Sequence, residues 1–92
     1  MNLTPYTISG KSGSAKKFFK KRDEATKEII RGCITKIRIN PHRDGRKRAM
    51  RHLEGGWKGY IEFKLQEPLL RIIYFIDDRA REIYIEEILP HL

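Results

Sequence analysis

The sequence predicts an α+β domain: two N-terminal helices packed on one face of a small, mainly antiparallel twisted sheet, in the order β-α-α-β-β-β. Three observations carry this prediction. A helical period runs through residues 15–39, a period of two begins at Trp57, and two short turns separate the apolar runs that follow. At 92 residues the chain is expected to form one domain over residues 1–92, near the size where a single core is just sufficient.

The elements follow in order. Leu3, Tyr6 and Ile8 give a first strand over Leu3–Ile8, and "GKSGS" breaks it, with Ser12 or Ser14 placed to cap a helix. "AKKFFKKRDEATKEIIRGCITKIRI" reads as two helices with a break near residues 21–23, where Asp23 starts the second. Ala25, Ile29/Ile30, Cys33/Ile34 and Ile37 recur at three- and four-residue spacing, so one stripe faces a core. Pro41 disfavours the α conformation at Asn40 and ends the helix. Residues 40–56 form a basic connector broken by Gly45 and Gly55–Gly56, with a short helical turn through Lys47–Leu53. In "WKGYIEFKL", Trp57, Gly59, Ile61, Phe63 and Leu65 face a core, whereas Lys58, Tyr60, Glu62 and Lys64 face outward. "QEP" turns the chain, "LLRIIYFI" is the next strand, "DDRA" turns again and "REIYIEEIL" is the last, completing an antiparallel meander.

Charge narrows the function. Residues 1–52 carry 15 Lys/Arg against 4 Asp/Glu, a net of +11; residues 53–92 carry 5 against 8, a net of −3. A basic face on a scaffold that is not itself basic points to a polyanion, with nucleic acid the leading candidate. The basic stretches lack the apolar opposing face that a membrane-surface helix needs. No apolar run reaches the ~18–20 residues that cross a bilayer, and no signal peptide is visible. A single cysteine, Cys33, fits a reducing, cytoplasmic compartment and, lying on the apolar stripe, structural burial.

Metal, cofactor and nucleotide chemistry are not expected. His42, His52 and His91 are scattered, Asp77 and Asp78 sit in a turn, and no glycine-rich phosphate loop opens a helix. A metal-free site of basic residues, His and Tyr suits RNA cleavage, where the ribose 2′-hydroxyl is an internal nucleophile. The protein then supplies a base, an acid and fixed positive charge for the developing phosphorane. His91 follows the last strand and is either a proton shuttle or a frayed terminal residue. Arg71 interrupts "LLRIIYFI" and either clamps phosphate or pairs with Glu62 or Glu86 across strands. Lys64 is a phosphate contact or a solvated strand lysine, and His52 ends the connector close to the same site. Trp57, Tyr60 and Tyr74 stack bases or simply pack. Arg43, Arg46, Lys47, Arg48 and Arg51, with Lys58 beyond them, either track an RNA backbone or solubilise a loop.

"HLEGGWKGYIEFKLQEPLLRIIYFIDD" resembles the core of the RelE/ParE toxin superfamily, in which L-x-G-x-W-x-x-Y precedes a strand and R-φ-φ-Y-x-φ-D (φ apolar) closes the next. "WKGY" is especially like the YafQ branch. The resemblance implies a RelE-like fold and the toxin of a type II toxin–antitoxin pair: a metal-independent, ribosome-dependent mRNA endonuclease that cuts in the A site and inhibits translation. It implies a cognate antitoxin that blocks the toxin and binds operator DNA with it. By position, Arg71 matches the arginine that contacts the scissile phosphate, and His91 a C-terminal histidine used as acid or base. His52 lies within a residue of a YafQ-like histidine, and Lys64 falls where that branch has a strand histidine and near a RelE-like lysine. RelE-like chains carry Y-K-x-K, whereas "YIEFK" keeps only Lys64 and places Glu62 between; the acidic residue of the YafQ site has only Glu67 as an ambiguous counterpart. The alternatives are a ParE-like inhibitor of DNA gyrase with the same fold, or an RNA-binding module that has lost activity.

Overall fold

Ser12 sits in an extended conformation, and its hydroxyl accepts from the Ala15 amide, satisfying an otherwise orphaned helix N–H. Asp23 does the same for the second helix, accepting from Thr26 N at 2.8 Å. The Thr26 side chain first, and then its amide, hold the Asp23 carboxyl below its ordinary pKa by hydrogen bonding. Between these caps and Asn40 lie α1 (Gly13–Lys20) and α2 (Glu24–Ile39). The computed structural model describes residues 4–42 and 50–90. Within them the remaining elements are β1 (Thr7–Lys11), β2 (Met50–His52), a one-turn 3₁₀ helix (Gly55–Trp57), β3 (Tyr60–Leu65), β4 (Leu70–Asp77) and β5 (Glu82–Pro90).

The strands form one five-stranded sheet in the order β1-β5-β4-β3-β2, antiparallel except where β1 runs parallel to β5. The α+β prediction is met, with one strand more. Ile30, Cys33 and Ile37 of α2 and Ala15 of α1 are buried against Ile61, Phe63, Ile72, Tyr74, Ile83, Ile85 and Ile88 from one face of the sheet. Ala25 and Ile29, also placed on the stripe by spacing, lie exposed at its margin. Tyr74 donates its buried hydroxyl to the Pro41 carbonyl at 2.6 Å, fixing the chain where α2 ends. The Tyr6 amide donates to the Arg38 carbonyl, the Arg38 side-chain Nε donates back to the Tyr6 carbonyl at 2.7 Å, and the Tyr6 hydroxyl donates to Asp78 at 2.6 Å.

Four local readings are corrected. The first strand is Thr7–Lys11 rather than Leu3–Ile8, because Gly10 and Lys11 continue the parallel pairing past an irregularity and reach Tyr84 and Ile85. Gly10 lies beneath the Tyr84 ring, where an added Cβ would come within 3.2 Å. The helical turn expected through Lys47–Leu53 is a strand from Met50 to His52, paired with β3; residues 47–49 lie outside the described region. Trp57 is 40% exposed in the 3₁₀ turn, not core-facing. Gly59, at φ +96°, then swings the chain into β3, so the period of two starts at Tyr60.

Replacing Tyr74 with Phe removes the Pro41 carbonyl's partner in a buried place. The variant is expected to lose about 1–3 kcal/mol in urea unfolding, with little change in the slope against denaturant.

Candidate functional site

Register places the chemistry. Arg51 of β2 lies opposite Glu62 of β3, which lies opposite Ile73 of β4, and Lys64 lies opposite Arg71. These residues share the sheet face turned away from the helical core, as alternation requires. Glu62 is nevertheless 0% exposed. Its Oε1 accepts from Arg51 Nε and its Oε2 from Arg71 Nη1, each at 2.9 Å. Burial on its own raises the Glu62 pKa, but the two arginines outweigh it and hold the carboxyl below its ordinary value. Three neighbouring strands are thereby tied by one carboxylate.

Two guanidiniums against one carboxylate leave a net +1 at this point. Arg51 keeps 59% of its side chain exposed and Arg71 35%, so part of each remains at the surface. The buried Nε of Arg71 has no hydrogen-bond partner among the described residues. Beside the pair opens a cleft of about 440 Å³, lined by Arg51, His52, Leu53, Glu54, Trp57, Arg71 and Ile73. A second cleft of about 470 Å³ adjoins it along His52, Leu53 and Glu54 and reaches Lys58 and Gly59. Tyr60 donates to Glu86 at 3.2 Å, and burial first, then the Glu86 charge, raise its pKa, so the phenol keeps its proton at neutral pH.

The structure therefore brings Arg51, His52, Lys58 and Arg71 around two adjoining clefts. Lys64 lines neither; it stands across from Arg71 on the same face, and no ion pair engages it among the described residues. Alternation turns His52 to the other side of β2 from Arg51, so it meets the clefts at the sheet's outer edge, exposed. His91, Arg43, Arg46, Lys47 and Arg48 lie outside the described residues. The cross-strand pair foreseen as one option for Arg71 is present, with Glu62 and not Glu86. Sequence reasoning missed that Arg51 shares this carboxylate, because β2 was not recognised. Among the described residues, no group of three or more His, Cys, Asp or Glu is arranged to hold a metal ion. No described helix is long and apolar enough to cross a membrane.

No protein-family model matches the sequence, and no curated protein does. Solved structures do match. The toxin–antitoxin complex RelBE2 from Mycobacterium tuberculosis is similar with a TM-score of 0.74 at 17% identity, over 95% of this chain and 99% of that one. The YoeB–YefM complex from Staphylococcus aureus matches with a TM-score of 0.70 at 20% identity, over 92% and 98%. YafQ from E. coli strain BL21(DE3) matches with a TM-score of 0.63 at 21% identity, over 91% and 93%. The chain has the RelE-like fold.

The lowered Glu62 pKa carries a signed expectation. A group whose folded pKa is depressed contributes its full stability above the unfolded value, near 4.5, and loses it as pH falls through the folded value. Glu62→Gln is expected to cost about 1–3 kcal/mol in urea unfolding near neutral pH. The gap to the wild type should narrow steadily in acid below that range. A gap independent of pH would show that the charge on Glu62 does not stabilise the fold.

Proposed function

We propose that the chain belongs to the RelE/ParE superfamily and is the toxin of a type II toxin–antitoxin pair, cleaving mRNA in the ribosomal A site without a metal ion. The observation that carries this reading is the Arg51–Glu62–Arg71 bridge beside a cleft that His52 also lines, on a RelE-like fold. Its net +1 matches the single negative charge of a phosphodiester. Arg71 and Arg51 hold the scissile phosphate and take up the charge that builds on its oxygens in the phosphorane. His52 removes the 2′-hydroxyl proton, the 2′-oxygen attacks phosphorus in line, and the P–O5′ bond breaks. His91 returns a proton to the leaving 5′-oxygen, and the products are a 2′,3′-cyclic phosphate and a 5′-hydroxyl. Lys64, opposite Arg71, adds positive charge at the rim of the site, while Lys58 contacts the neighbouring backbone. Arg43, Arg46, Lys47 and Arg48 in the connector extend that basic track.

The same reading supplies the partners. Two of the similar structures are complexes of a toxin with its antitoxin, and a cognate antitoxin is the partner proposed here, silencing the site and binding operator DNA together with the toxin. The ribosome and its mRNA are the targets, and the cytoplasm is where they meet.

Induced expression followed by primer extension on cellular mRNA tests the proposal. Cuts in phase with codons are expected from the wild type. Arg71→Ala should slow cleavage at least ~100-fold, the scale on which a lost charge-stabilising donor acts. His91→Ala and His52→Ala should each abolish growth arrest with the fold retained. Intact mRNA accompanied by DNA damage would overturn the nuclease in favour of a gyrase inhibitor. RNA binding with no cuts from the wild type would identify an inactive binding module.

A further inference from the structure

Trp57 and Tyr60, read from the sequence as stacking or packing residues, take no part in the phosphate chemistry of the Arg51–Glu62–Arg71 bridge. They belong to an aromatic row that crosses the open face of the sheet. Register sets Tyr60 of β3 opposite Phe75 of β4, and Phe75 opposite Tyr84 of β5. Trp57 stands at the β3 end, its ring centre 5.3 Å from that of Tyr60 and nearly perpendicular to it. Tyr60 meets Phe75 at 5.7 Å, again edge to face. At the far end the Tyr84 ring lies against Gly10. Trp57, Phe75 and Tyr84 are each more than a third exposed. Rings that served only to pack would be covered, and a contiguous exposed row of this kind marks a binding surface.

One polar group is aimed into the row. The Tyr60 side chain reaches past β4, and its hydroxyl donates to Oε1 of Glu86 on β5. The β4–β5 register passes from Glu87 to Ile85, so Glu86 is the extra residue of a bulge, a device that re-aims a side chain. Glu86 is half-buried, and its carboxylate has no other hydrogen-bond or ion-pair partner among the described residues. A carboxylate offers about four lone-pair sites, and the phenol takes one.

Charge decides what can lie here. Asp77 and Glu82 face each other one row beyond Phe75 and Tyr84, and together with Glu86 they repel phosphate. The arginines lie the other way, because Glu62 is two residues, or about 7 Å of strand, from Tyr60. Trp57 also lines the Arg51–Arg71 cleft, so row and cleft are continuous. A nucleotide is divided in the same sense, with its phosphate at one end and a flat base at the other.

We propose that the row is a nucleobase site. One base of the bound RNA stacks on Phe75 and gives its N–H donors to Glu86, and the next base rests on Trp57 at the cleft. Guanine fits best, because its N1–H and 2-amino group present two parallel donors to one carboxylate. Uracil has a single N–H, flanked by carbonyls that the carboxylate repels. An apolar protein segment fits less well, since covering the row would bury the Glu86 charge with no cation beside it. The proposal rests on the proposed function only for RNA as the ligand.

Titration of the purified full chain with 2′-O-methylated pentanucleotides, which lack the attacking hydroxyl, tests it through the emission of Trp57, the one tryptophan in the chain. Binding should quench that emission. A pentamer of uridine with guanosine at its centre should bind at least ~10-fold more tightly than uridine alone, with inosine, which lacks the 2-amino group, between them. The ratio should hold as salt is raised, because the pentamers carry the same phosphates. Glu86→Gln should bring the guanosine Kd to within about three-fold of the uridine Kd, with uridine binding unchanged. Phe75→Ala should weaken every pentamer at least ~5-fold. Equal affinity of the wild type for the three pentamers overturns the proposal, as does binding without quenching. Emission that shifts with protein concentration alone would assign the row to a second copy of the chain and overturn it too. Base-selective binding with no cuts in primer extension would remove the nuclease and leave this site standing; cuts without base selectivity would do the reverse.

Discussion

The open face of the sheet depends on one buried carboxylate. Helices cover the other face, where apolar side chains interdigitate; here no described helix covers β2, β3 and β4, and Glu62 closes the layer between Arg51 and Arg71. Ile73, on the same face, is almost completely buried. Burying a lone carboxylate is unfavourable, and the cost is met only because each oxygen accepts from a guanidinium. A well-packed apolar residue would hold the three strands at least as well. The ionic arrangement does something an apolar one does not: it fixes two positive groups at the mouth of a cleft.

That arrangement explains how charge is distributed over the molecule. The C-terminal half is acidic in sum, yet its one buried acid serves to hold arginines in place. The remaining excess of positive charge lies in the N-terminal half, and the lysines of α1 are not tied down in this way among the described residues. Positive charge near the cleft is thus positioned and specific, whereas that on α1 is exposed and dense. The first kind suits a single phosphate in a defined geometry.

Periodicity made most of the fold legible. The change from a period of 3.6 to one of two, the two caps and the short turns gave both helices and the last three strands. What failed has a physical cause in each case. Met50–His52 is a strand only because β3 lies beside it; three residues, two of them polar and exposed, carry no pattern of their own. The end of β1 was misplaced because its parallel partner, not local propensity, carries it through Gly10. Alternation correctly gave Glu62 an outward face, but a face is not a degree of burial. Burial there follows from Arg51, and Arg51 could not be placed without β2.

The two options left open for Arg71 by sequence are compatible. An arginine has five N–H donors, and Glu62 takes one of them, at Nη1. The bridge fixes where the guanidinium sits, and a phosphate arriving at the cleft then meets a group whose orientation has been settled beforehand. Neutralising both arginines would need a second carboxylate, and among the described residues Glu62 is shared between them instead. The same sharing keeps Arg51 from being a free loop cation and draws it into the geometry of Arg71. One acid between two arginines therefore yields a rigid site that is still one charge short, and an anion of unit charge completes it.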